Sequence, residues 1–134
     1  MIKGKKHKQT IAHEISRETK EKVWKRQHGK SLFSNRTITV DMCCCHYVSR
    51  AQGGVGYEWN IFGCYQSPWC NEHDAFDGKL SEKEVRKMLN ITVEEMKTVA
   101  GNHLKRNYNN WSIENCTYKK WFEENDYGVT RREK

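Results

Sequence analysis

The sequence predicts an α+β fold in which a short antiparallel hairpin is followed by helices. Three observations lead there. Thr37 to His46 (TITVDMCCCH) is rich in β-branched residues, and Trp59 to Cys64 (WNIFGC) is a second short apolar run. The SRAQGGVGYE stretch between them carries glycines that suit a tight bend or the close approach of a ligand. After His73 the pattern turns helical, and two S/T-x-x-E signatures, Ser81 to Glu84 and Thr92 to Glu95, open further runs with apolar residues at helical spacing.

Residues 1–13 are polar and basic without apolar periodicity, which predicts a flexible tail able to touch phosphates. Glu14 to about Gln27 reads as a helix anchored by Ile15, Val23 and Trp24 and ended by His28-Gly29. Thr37–His46 and Trp59–Cys64 read as two antiparallel strands joined by a long loop. His73 and Asp77 stand one helical turn apart and so share a face, and Gly78 ends that turn. Val85, Met88 and Leu89, then Val93, Met96, Ala100 and Leu104, are core stripes of the two capped helices. The aromatics of NYNNWSIENCTYKKWFEEN are assigned to core packing, with stacking on bases as their other use. The expected organisation is the tail at 1–13 and one domain over 14–134, with a core motif at 37–80 and a helical part at 81–121.

A chain of 134 residues has room for one small domain and a modest core. Lys and Arg number 24 against 17 Asp and Glu, a formal net charge of +7, so the long-range field favours polyanions such as nucleic acid. No apolar run approaches the ~20 residues of a bilayer span, and the basic start MIKGKKHK lacks the apolar stretch of a secretory signal. A cytoplasmic location without membrane contact is expected. In that setting the six cysteines are expected as free thiols or metal ligands. Side chains alternate faces along a strand, so at most Cys43 and Cys45 of the Cys43-Cys44-Cys45 run can point at the same site.

The chemistry concentrates in CCCHYVSRAQGGVGYEWNIFGCYQSPWCNEHDAFD, where His46, Asn60 and His73 follow in order and Asp77 lies four residues beyond. Phosphodiester hydrolysis needs an activated water, a charge clamp on the phosphate and stabilisation of the departing oxygen. A neutral imidazole is a competent base at neutral pH, which suits His46. Asn60, on the facing strand, can hold that ring through the neighbouring backbone or directly. His73 and Asp77 can present a nitrogen and a carboxylate to one divalent cation. Arg50, in the loop after the base, is a phosphate contact, since Arg binds phosphate oxygens bidentately. His7, His13, His28 and His103 lack partners at useful spacing and are assigned to surface or packing positions.

VSRAQGGVG, with His46 just before it and Asn60 just after, resembles the central motif of the HNH endonucleases. The closest type is the small phage or prophage protein with the pattern H-[FYI]-[IVY]-[SP]-R-x-x-GG-x-G. The likeness spans roughly residues 20–121, is specific in the central motif and weaker towards the C-terminus. It implies a ββα-metal core with flanking helices, His46 as general base, Asn60 as the middle Asn and His73 as the metal-binding His. It also places Asp77 at a second helix ligand, with Asp74 the rival if the YQSPWC insertion shifts the register. The implied activity is a DNA endonuclease using one divalent cation (Mg²⁺ or Mn²⁺, with Ni²⁺ and Zn²⁺ as alternatives) and leaving 5′-phosphate and 3′-hydroxyl ends inside a host cell.

Two positions depart from the pattern. Where many members carry an Asp or His ligand before the base, this chain has Cys45, a soft ligand that either drops out in favour of water or changes the metal preference. Where many relatives carry the first CxxC of a structural zinc, it has Ser31-Leu32-Phe33-Ser34, so a structural zinc is not expected. The rival expectations are a catalytically degenerate nucleic-acid-binding protein of the same fold and a zinc-binding adaptor built on the thiols.

Overall fold

The computed structural model describes residues 8–119 and 128–132, and no helix among them is long and apolar enough to cross a membrane. Helix α1 (Lys8–His13) buries Ala12 and His13, so the predicted tail gives way to packed structure before residue 13; His7 lies outside the described residues. Helix α2 (Arg17–Arg26) starts where the Ser16 hydroxyl accepts the Thr19 N–H, and it ends before His28 and Gly29, both at positive φ.

The strands are far shorter than predicted. Only β1 (Cys45–His46) and β2 (Ile61–Phe62) pair, antiparallel, with Cys45 opposite Phe62 and His46 opposite Ile61. Val40–Met42 and Glu58–Asn60 are 3₁₀ turns instead. Side chains of α2 and of its C-cap occupy the backbone groups that a longer ladder would use. Gln27 accepts from Gly63 N (2.7 Å) and donates to Gly63 O (2.9 Å), and Trp24 Nε1 donates to Ile38 O (2.8 Å).

A second hairpin, β3 (Gln66–Ser67) with β4 (Cys70–Asn71), leads directly into α3 (Glu72–Phe76). Gly78, at φ +77°, ends that turn as predicted. Helices α4 (Glu82–Leu89) and α5 (Val93–Asn107) open on the two predicted capping boxes, both complete. Strand β5 (Tyr108–Asn109) then pairs with β6 (Thr130–Arg131). The fold is therefore mixed, helices with small antiparallel sheets.

The main core joins Cys45, Phe62 and Cys64 of the hairpin region to Ala75, Phe76, Val85, Met96 and Ala100 of the three helices that follow. Val23, Ile38, Cys43 and Ile61 form a second cluster under α2. Tyr108 and Trp111 pack as predicted for the C-terminal aromatics, whereas Trp121 and Phe122 lie outside the described residues.

The cysteines correct one expectation. Cys45 and Cys64 form a disulfide, so they are neither free thiols nor ligands. Burial pushes the thiols of Cys43 and Cys116 up to about 12, which keeps both protonated. The Ser31–Ser34 turn is held by hydrogen bonds: Ser31 Oγ donates to the fully buried carboxylate of Glu72 (2.5 Å) and accepts from Phe33 N.

Candidate active site

β1 gives the site its first side chain. Cys45 turns into the main core and its neighbours Cys44 and His46 turn the other way, towards a cavity of about 630 Å³. Cys44 was not singled out from the sequence, although strand alternation places it on the face of His46. Ser49 and Arg50, in the loop that follows, continue this wall. The opposite wall is α3 with its C-cap, which contribute His73 and Asp77. The N-terminal segment closes the third side with His13, Glu14, Ile15 and Lys20, for which the sequence offered no local signal.

His46 Nε2 lies 3.3 Å from the carbonyl oxygen of His13. A carbonyl only accepts, so this contact requires Nε2–H and leaves Nδ1 with the lone pair. Burial holds the His46 pKa below its ordinary 6.5; the His13 carbonyl opposes that shift, Arg50 and His73 add to it, and Asp77 opposes it. The imidazole is therefore neutral at neutral pH, the form a general base needs. These influences also place Arg50, His73 and Asp77 within electrostatic reach of one ring.

Asn60 does not line the cavity; it is fully buried behind it. Its Oδ1 accepts from Val48 N (2.8 Å), while its Nδ2 donates to Val48 O (3.1 Å) and Val55 O (2.7 Å). Its own carbonyl accepts from Tyr47 N (2.8 Å). Of the two ways anticipated for Asn60 to hold His46, the structure uses the backbone: the amide clamps both ends of the 48–55 loop and never touches the ring. The loop glycines serve that path as well. Gly53 makes the bend at φ +88°, and at Gly54 and Gly56 a Cβ would run into the carbonyls of Val48 and Glu14.

On the helix wall, His73 Nε2 and Asp77 Oδ2 are 3.2 Å apart. With the ring protonated this is an ion pair; with the ring neutral the same atoms are a donor pair for a cation. Their separation is near the ~3.0 Å edge of an octahedron with bonds of ~2.1 Å, so one hard divalent ion fits both. Nitrogen with carboxylate oxygen is a donor set that Mg²⁺, Mn²⁺, Ni²⁺ and Zn²⁺ all accept. Asp74 does not line the cavity, and Asn71 caps its backbone N–H. Cys45, fully buried in its disulfide, does not reach the cavity either. Among the described residues no three His, Cys, Asp or Glu side chains converge as a metal cluster, so a cation held by this pair would keep most of its shell as water.

His103, assigned above to packing, is buried, and its Nε2 accepts from Arg26 Nε (2.8 Å). Arg26 also donates to Glu58 O (2.9 Å), Ile61 O (2.6 Å) and the Tyr108 hydroxyl (2.9 Å), bracing the chain on both sides of Asn60. His28 is exposed at a helix end. Compared with protein-family models, with curated proteins and with solved structures, the chain matches none of them.

Proposed function

We propose that the protein is a divalent-metal-dependent DNA endonuclease with a ββα-metal core formed by β1, β2 and α3. The observation that carries this reading is the convergence, in one open cavity, of a neutral imidazole with an assigned lone pair, a His–Asp donor pair on the facing helix and an arginine. In the reaction, water attacks phosphorus, the new P–O bond forms as the bond to the 3′ oxygen breaks, and the water proton passes to His46 Nδ1. A bound divalent cation supplies charge neutralisation at the phosphate and at the departing oxygen, and His73 and Asp77 are the residues that would hold it. Arg50 presents its guanidinium to the non-bridging oxygens. Asn60 is a positioning residue, fixing the loop that carries Ser49 and Arg50.

A plasmid-nicking assay across Mg²⁺, Mn²⁺, Ni²⁺ and Zn²⁺ tests the reading. His46→Ala is expected to slow nicking by about 10²- to 10⁴-fold with the fold intact, and His73→Ala to abolish metal-dependent nicking. Full activity in folded His46→Ala sinks it.

A second reading has one observation in its favour. The disulfide removes Cys45 from ligation and leaves a two-residue donor set, as in a nucleic-acid-binding protein of this fold without cleavage. Salt-sensitive DNA binding with no nicking under any of the four ions would select it.

A further inference from the structure

The cavity continues past His46. A second depression of about 470 Å³ adjoins it, and the two share His46, Ser49 and Asp77. Its remaining walls include Gln52 from the clamped loop, Lys79 just beyond α3 and Lys97 on α5. The result is one groove with the reactive side chains at its middle, Lys20 and Arg50 along one arm and Lys79 and Lys97 along the other. Lys79 and Lys97 are exposed, and neither forms an ion pair with a described carboxylate.

A groove with cations on both sides of its centre fits an anion that continues in both directions. A mononucleotide or a terminal phosphate would fill one arm and leave the other cations unmatched. We propose that Lys79 and Lys97 hold phosphates flanking the one at His46, so that the site takes the interior of a nucleic-acid strand. This deepens the phosphodiesterase reading and rests on it for the position of the central phosphate. The binding it predicts is measured without cleavage.

The test is fluorescence anisotropy of a fluorescein-labelled 20-base-pair duplex, titrated without divalent ions at several KCl concentrations. The parent is compared with Lys79→Ala/Lys97→Ala and with a charge-matched control, Lys83→Ala/Lys87→Ala, whose lysines are exposed on α4 and line neither depression. Each lost phosphate contact lowers the log–log salt slope by about 0.9, so the groove variant should lose about 1.8 and bind at least about tenfold more weakly. The control should keep the parent slope. Equal slopes for the parent and the groove variant, or an equal loss in the control, would overturn the proposal. Binding that depends on Lys79 and Lys97 in a parent that never nicks DNA sustains the groove and removes the catalytic reading. Nicking by the parent, with the groove variant binding as the parent does, removes the groove alone.

Discussion

The two walls of the cavity are built in opposite ways. Behind His46 stand three hydrogen bonds from the buried Asn60 amide and, one layer deeper, four from the buried Arg26 guanidinium. His73 and Asp77 instead stand, partly exposed, on a helix of five residues and on its C-cap, with each other as neighbour. A base works only at a defined distance and angle from the water it activates, so its support must be stiff. A pair that, under the proposed function, closes around a cation can settle into place when the cation arrives. Under the proposed function, the contrast teaches that preorganisation is concentrated on the wall that carries the proposed base.

The contrast is broken most directly at Asn60. Asn60→Ala removes three buried hydrogen bonds at ~1 kcal/mol each and should cost about 3 kcal/mol in urea unfolding, together with most of any nuclease activity. A loss below about 1 kcal/mol would show that the loop keeps its path without the amide.

A weaker perturbation acts through His103. Arg26 aims an N–H at His103 Nε2, so protonation there is opposed; burial is the largest cause, with Arg26 and Arg106 adding to it, and the pKa is lowered to about 3. In the unfolded chain the same ring titrates near 6.5. The unfolded state thus binds the proton more tightly between those values, and stability falls as pH drops from 6.5 towards 3, by up to about 1.4 kcal/mol per pH unit. His103→Gln, which offers Arg26 an amide oxygen, should flatten the slope between pH 6.5 and 5 relative to the parent. Parallel slopes would place the titrating group elsewhere.

The smallest effect is expected on the helix wall. Asp77→Asn should change stability by less than about 0.5 kcal/mol, because a partly exposed pair contributes little. Under the proposed function it should still weaken nicking at limiting Mg²⁺, with recovery at higher concentration. A stability loss as large as that of Asn60→Ala would erase the distinction between the walls.

Local chemistry was legible wherever it acts over a turn or two. Ser81 with Glu84, Thr92 with Glu95, the end of α2 at His28-Gly29 and the shared face of His73 and Asp77 follow from spacing alone. The length of the strands was not legible. Thr37–His46 has strand composition, but Trp24 and Gln27, remote in sequence, take the backbone groups that would extend the ladder. The third side of the cavity was hidden for a related reason. Ala12 and His13 dock through contacts that leave no amphipathic pattern in the sequence, with Gly56 N donating to Ala12 O and the His13 ring bonded to Gly54 O. The Cys45–Cys64 bridge was not legible because an expected reducing compartment says nothing of proximity, whereas the hairpin sets Cys45 opposite Phe62, two residues before Cys64.

The contact between His46 and the His13 carbonyl spans 33 residues of sequence, and it ties the orientation of the His46 imidazole to the docking of the amino-terminal arm. Releasing that arm would free the ring to rotate and let its two nitrogens exchange the proton. Under the proposed function, displacing the first helix would therefore alter proton transfer at His46 without anything entering the groove.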